Sequence, residues 1–103
     1  MVTLRIDVKV RDYDMWRQAF EGDAGGRERS GVRRYRIFRP VDVHDQVLLD
    51  LDFDSRKEAE GFLTILREEV WTSAEKAPAK LGIPETRIVE LVESEEYAGS
   101  PAS

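Results

Sequence analysis

The strongest constraint on the fold is a strict alternation of apolar and polar residues over positions 2–10. The even positions are all apolar, and polar residues fill the odd ones at Thr3, Arg5, Asp7 and Lys9. Because successive side chains of a strand point to opposite faces, this pattern predicts a strand with one buried face. In a chain of 103 residues, one such strand and the elements that cover it form a single domain.

The rest of the chain divides into five further elements. Asp12 caps a helix that ends near Gly22 and carries an aromatic stripe, and Ser55 with Glu58 forms a capping box for a second helix. The segment between Gly22 and Gly31 reads as a mobile connection with a short turn near Arg27. The predicted ranges are strands at 32–39, 46–53 and 86–93, and a second helix at 56–70.

The two central strands predict their own register. Placing Arg34 opposite Asp52 and Arg36 opposite Asp50 pairs opposite charges on one face. The same register places Tyr35 and Ile37 opposite leucines on the other face, and a shift by one residue would turn the arginines into the core.

The order strand, helix, strand, strand, helix, strand is that of an α+β ferredoxin-like βαββαβ domain with an antiparallel sheet. Its crossovers place both helices on one face. The domain is expected to span residues 1–93, followed by a flexible acidic tail over residues 94–103. The other face of the sheet is polar, and solvent, nucleic acid or a second subunit are the three candidates to meet it.

Composition excludes several classes of function. The chain has no cysteine and one histidine, so thiolate catalysis and cysteine-based metal sites are excluded, and we expect no metal. A formal net charge of -5 and acidic residues on the polar face argue against nucleic acid. No apolar run is long enough for a bilayer and no basic leader is present, so we expect no membrane partner and a cytoplasmic location.

The run from Val10 to Trp16 with Phe20, the strand Arg34-Tyr-Arg-Ile-Phe-Arg39, and the late Gly82-Ile-Pro84 resemble a known group. They resemble small bacterial proteins of the dimeric α/β-barrel superfamily, nearest to the antibiotic-biosynthesis monooxygenase-like members. The resemblance covers residues 2–93. It implies a homodimer whose sheets pack face to face, with ligands held between each sheet and its helices.

The resemblance also bears on cofactors. Haem-degrading members use an Asn, Trp and His constellation, whereas this chain contains no Asn and its only His lies in a predicted hairpin loop. We therefore expect no cofactor.

The expected ligand is small and apolar or aromatic. The candidate binding residues are those that face the helices or lie near a pocket mouth: Trp16, Phe20, Tyr35, Arg39, Phe62 and Trp71. Arg33 is a candidate catalytic cation for a developing enolate or phenolate, and His44 is a candidate acid or base. Core packing for the aromatic residues, and solvated positions for Arg33, Arg39 and His44, are the alternatives.

Two functions remain open at this point. One is an enzyme of secondary or catabolic metabolism that oxygenates, cyclises or isomerises an aromatic or polyketide-like substrate without a cofactor. The other is a non-catalytic ligand-binding or structural dimer. A cleft that holds a polar group beside aromatic walls favours the enzyme, and a filled interior favours the structural role.

Overall fold

The computed structural model describes residues 1–99 and confirms the predicted ferredoxin-like architecture. Four antiparallel strands form one sheet in the order β2-β3-β1-β4. The elements along the chain are β1 (Val2–Val10), α1 (Tyr13–Glu21), β2 (Val32–Phe38), β3 (Gln46–Phe53), α2 (Arg56–Ile65) and β4 (Lys80–Glu90). Both helices pack on the apolar face of the sheet, where Leu4, Val47, Leu51 and Phe53 are almost fully buried.

The predicted register of the central hairpin is confirmed. Arg34 pairs with Asp52 and Arg36 with Asp50 across β2 and β3, while Tyr35 and Ile37 oppose leucines. The apolar face fixes this arrangement, because a slip by one residue would bury the arginines against the helices.

Both helices begin at the predicted caps. The Asp12 carboxylate accepts the backbone N–H of Met15 at 3.2 Å, and the Ser55 hydroxyl accepts that of Glu58 at 3.2 Å. The α-helical part of α2 ends at Ile65, five residues before the predicted end, and continues as a π-helical turn over Leu66–Val70. The N–H of Trp71 closes that turn by donating to the carbonyl of Leu66 at 2.7 Å.

The last strand differs from the prediction. It runs from Lys80 to Glu90 rather than over 86–93, and its register against β1 shifts between Asp7 and Lys9. Residues 82–84 lie in that bulge, with Gly82 at a φ of 72°. A bulge accommodates both the left-handed glycine and the missing N–H of Pro84, so the strand begins before residues that the sequence suggests would interrupt it.

The connection between α1 and β2 is a series of hydrogen-bonded turns. Ser30 and Gly31 donate backbone N–H groups to residues of the preceding turn, and Val32 donates to the carbonyl of Arg27 at 3.0 Å. Beyond β4, residues 91–99 are exposed and form no helix or strand. The last part of the predicted tail, residues 100–103, lies outside the described residues.

Candidate functional site

A cleft lies between the apolar face of the sheet and the two helices. Its volume is ≈ 90 Å³, and its walls come from β1, β3, α1, the turns after α1, α2 and the segment that leads into β4. Ligand sites of drug-sized molecules have roughly 300–1,000 Å³. The cleft therefore accepts little more than one ring of a ligand in its present shape.

Aromatic side chains from both helices and from the turn after α2 line the cleft. Trp16 and Phe20, one helical turn apart on α1, stack with ring centroids 5.1 Å apart. Phe62 of α2 packs against Phe53 of the sheet at 5.9 Å. Trp71 follows the π-helical turn, whose extra residue changes the direction in which the end of the helix points its side chains.

Arg27 supplies a cation to the cleft from the turns after α1. Its guanidinium lies over the Phe20 ring at 3.7 Å and near the Tyr35 ring at 5.3 Å. Arg27 Nη1 donates to the carbonyl of Phe20 at 2.7 Å and lies 3.4 Å from Asp23 Oδ1. These contacts hold a planar charged group in one orientation at the edge of an aromatic wall.

The backbone of the same turns brings Arg27 into place. Asp23 adopts a φ of 52°, and its carboxylate accepts the Arg27 backbone N–H at 2.8 Å. Gly25 lies against Phe62 so closely that a Cβ there would come within 3.0 Å of the ring. A side chain at Gly25 would thus press on the Phe62 ring that lines the cleft.

Two lysines also border the cleft. Lys76 is exposed, and Lys80 at the start of β4 donates from Nζ to the carbonyl of Gly82 at 2.8 Å. The cleft thus combines aromatic walls with Arg27 and these two cations, and Asp23 is the acidic side chain among its lining residues.

The structure brings four of the predicted binding residues together at the cleft. They are Trp16, Phe20, Phe62 and Trp71. Phe62 is also part of the core, being only 3% exposed. Tyr35 does not line the cleft; it packs edge-on against Phe20 with centroids 4.9 Å apart and is partly exposed at the edge of the sheet.

The structure places Arg33, Arg39 and His44 away from the cleft. A bulge between Val32 and Arg34 leaves Arg33 without a partner in β3. The side chain of Arg33 therefore no longer follows the strand alternation that predicted it to face the helices. Its guanidinium instead pairs with Asp54 at 2.7 Å, a contact that raises the pKa of Arg33 chiefly through the hydrogen bond.

The other two lie beyond the ends of strands. Arg39 follows the last residue of β2 and lies over the Tyr13 ring at 4.5 Å. His44 is exposed in the loop between β2 and β3.

The opposite face of the sheet carries a charge network. Arg5 and Arg36 both reach Asp50, at 3.2 and 3.4 Å. Asp52 accepts from Thr3 Oγ1 at 2.6 Å and from Arg34 Nε at 2.9 Å. Burial alone would raise the pKa of Asp52, but these hydrogen bonds and the charges of Arg34 and Arg36 lower it overall.

The predicted site residues did not include Arg27 or the two lysines. The aspartate four residues before Arg27, within a glycine-bearing segment, is the feature that points to a locked turn. Residues 1–99 contain no group of three His, Asp or Glu side chains placed to bind a metal ion. No helix in that range is long and apolar enough to cross a membrane.

Solved structures share this fold. SnoaB, a cofactor-independent oxygenase from Streptomyces nogalater, matches with a TM-score of 0.70 at 14% identity, over 90% of this chain and 94% of its own. A candidate antibiotic biosynthesis monooxygenase from Deinococcus radiodurans matches with a TM-score of 0.71 at 13% identity, over 96% and 100%. A dimeric ferredoxin-like protein from an uncultured marine organism has a TM-score of 0.62 at 12% identity, over 94% and 100%.

No family model and no curated protein matches the sequence. The chain has the fold of antibiotic-biosynthesis monooxygenase-like proteins, the architecture that the sequence predicted. At these identities the likeness concerns the fold.

Proposed function

We propose that the protein is a homodimer that binds a small, flat aromatic molecule in the cleft and oxygenates it without a cofactor. The observation that carries this proposal is the single cleft wall in which Trp16 and Phe20 stand beside the oriented guanidinium of Arg27. The cofactor-independent oxygenase SnoaB has the same fold, which supports the choice of reaction.

The binding part of the proposal depends on contact area and charge. One aromatic ring of the ligand packs between the α1 wall and Trp71. Arg27 faces the ring's oxygen and stabilises it as a phenolate with the guanidinium donors that its contacts with Phe20 and Asp23 leave free, because a donor held in one orientation stabilises a developing negative charge.

The reaction part follows from the chemistry of an electron-rich phenolate. The anion transfers electrons to O2, a carbon–oxygen bond forms on the ring, and the O–O bond breaks. One oxygen atom becomes a quinone carbonyl, and the other leaves as water with two hydrogens from the substrate. The substrate is the reductant and O2 the oxidant, so the balance needs no further group.

The dimer part depends on the polar face of the sheet. This face forms a depression of ≈ 490 Å³ that mixes charged residues with apolar ones, including the exposed Phe38 and the half-buried Leu48 and Val89. A second copy packed on it would cover Phe38, and a matching structure of the same fold is described as dimeric. Light scattering at micromolar concentration should give twice the chain mass, and a monomer would contradict this part.

Binding is tested with 4-nitrophenolate and its neutral analogue 4-nitroanisole. The two tryptophans of the chain both border the cleft, so quenching of their fluorescence reports its occupancy. We expect the phenolate to bind more tightly than the ether because of Arg27. No saturable quenching by either probe would contradict the binding proposal.

Calorimetry with Trp71→Ala then tests the location. This variant should bind 4-nitrophenolate about tenfold more weakly, the loss expected for one large aromatic contact, while its melting curve shows that it remains folded. Tyr97→Ala is the matched control, since it removes an aromatic ring that is 87% exposed and outside the cleft. Equal binding by both variants would place the ligand elsewhere.

Oxygenation is tested with 1,3,5-trihydroxybenzene under 18O2. The expected result is O2 uptake above the protein-free rate, with one labelled atom in the product.

The cleft volume of ≈ 90 Å³ favours a second candidate, a ligand-binding dimer without catalysis. Saturable binding with no O2 uptake would select that second function.

A further inference from the structure

The lysines at the cleft are free of carboxylate partners. Every ion pair among residues 1–99 uses an arginine as its cation, and none involves a lysine. Lys80 Nζ donates one of its three hydrogens to the carbonyl of Gly82, and Lys76 is exposed. Both side chains therefore retain donors for a ligand.

The charge balance of the cleft is positive although the protein is acidic. Among the lining residues, Asp23 is matched by Arg27, whose backbone and side chain it contacts at 2.8 and 3.4 Å. Lys76 and Lys80 then remain as the excess, in a chain with a formal net charge of -5. Such a local reversal of sign attracts anions to the cleft.

The volume of the cleft determines where an anionic group would lie. About one ring fits the ≈ 90 Å³ between the aromatic walls, so a substituent on that ring extends toward solvent. The exposed Lys76 and the half-buried Lys80 line the cleft where the chain leads into β4, so they can meet such a substituent. A charged group there keeps part of its hydration, which makes its binding less costly than in the interior.

We propose that Lys76 and Lys80 form a carboxylate subsite, so that the ligand of this protein is a small aromatic acid. This inference depends on the proposed function, because it assigns the ring to the aromatic walls and adds the acid group at the lysines. The two ammonium groups bind the carboxylate as compact charges, and the ring oxygen faces Arg27.

The test compares 4-hydroxybenzoate with its methyl ester, which has the same ring and hydroxyl but no charge on the acid group. Binding is followed by tryptophan quenching and by calorimetry on the wild-type protein, on Lys76→Gln/Lys80→Gln and on Lys57→Gln. Lys57 is an exposed lysine of α2 outside the cleft, so its variant shows what the loss of one positive charge elsewhere on the surface does to binding.

We expect the wild-type protein to bind the acid about tenfold more tightly than the ester, the combined effect of two partly exposed ion pairs. The double variant should lose that preference while keeping its affinity for the ester, and Lys57→Gln should retain it. Added salt should reduce the preference as well, since exposed charges are screened.

Each other outcome has a definite meaning. Equal binding of acid and ester by the wild-type protein overturns the carboxylate subsite and leaves the proposed function standing. A preference that survives in the double variant also overturns it. Binding of neither probe overturns the proposed function together with the subsite.

Discussion

The two faces of the sheet use the same strands in different ways. On the helix-covered face, β1 and β3 contribute apolar side chains to the core, and a small aromatic cleft remains under the helices. On the other face, the same strands hold Asp50 and Asp52, which are buried under arginines although no helix covers them. Asp52 is 2% exposed, whereas its partner Arg34 has a side chain that is 61% exposed.

The comparison separates the sources of stability and function. The apolar face contributes most of the stability through burial, which scales with the area removed from water. A cleft exists on this face only where the packed side chains leave space. The polar face gains little net energy from its ion pairs, but a carboxylate that loses its partners there remains buried and unpaired. Substitutions on the two faces should therefore differ in size and in their dependence on pH.

The largest effect is expected on the apolar face. Phe62→Ala should lower the free energy of unfolding by about 3–5 kcal/mol, because it removes a buried ring and leaves a cavity. Phe62 packs on Phe53 and under Gly25, so the surroundings cannot easily collapse into the space. Denaturant melts measure the change, and a loss below about 1 kcal/mol would contradict the assigned position in the core.

On the polar face, Asp52→Asn should cost about 1–3 kcal/mol, since it weakens the hydrogen bonds from Thr3 and Arg34 to a buried group. Asp54→Asn is the matched control. The Arg33–Asp54 pair has a similar geometry, but both side chains are about 60% exposed, so its loss should be much smaller than that of Asp52→Asn. Equal losses in urea melts would show that burial does not distinguish the two pairs.

The same carboxylate predicts a pH dependence. The folded-state pKa of Asp52 is lowered, so its contribution to stability is complete above the pKa of the unfolded chain, which is about 3.9. The contribution is lost as the pH falls through that value toward the folded-state pKa. Urea melts between about pH 7 and pH 3 should therefore show a steeper loss for the wild-type protein than for Asp52→Asn. Parallel curves would contradict the assignment.

The sequence predicted those parts of the fold that alternation and caps determine. Arg34 and Asp52 meet as expected because polarity on both faces of the hairpin selects one register. The helices begin where Asp12 and Ser55 accept backbone N–H groups, because these local contacts need no distant partner.

The sequence could not predict features that depend on one inserted residue or on distant packing. The bulge at Arg33 interrupts the alternation without any glycine or proline at that position. Arg33, the cation that the alternation predicts for the cleft, therefore lies outside it. The π-helical turn before Trp71 likewise has no sequence signature. Arg27 lies at the cleft because of a turn whose conformation depends on Asp23 and on contact with Phe20.

The smallest effect tests how α1 is attached to the sheet. No residue of α1 is fully buried, although its aromatic residues pack against the core, so the contacts at its end, where Arg27 joins Phe20 to Tyr35, should help to hold it in place. Arg27→Lys keeps the charge but loses the planar stacking and shortens the reach to the Phe20 carbonyl. We expect a stability loss of about 1 kcal/mol, because the Arg27 side chain is only 19% exposed but lysine keeps part of the cation–π attraction.

Hydrogen exchange distinguishes this role from a general loss of stability. Compared with the wild-type protein, Arg27→Lys should speed up amide exchange in α1 more than in α2. The reason is that local opening of α1 no longer breaks the stacked contact. Arg56→Lys is the control, since Arg56 pairs only with the exposed Glu60 on α2. If α1 and α2 change equally in Arg27→Lys, the helix is held by its apolar stripe. Arg27 would then serve the cleft by its charge alone.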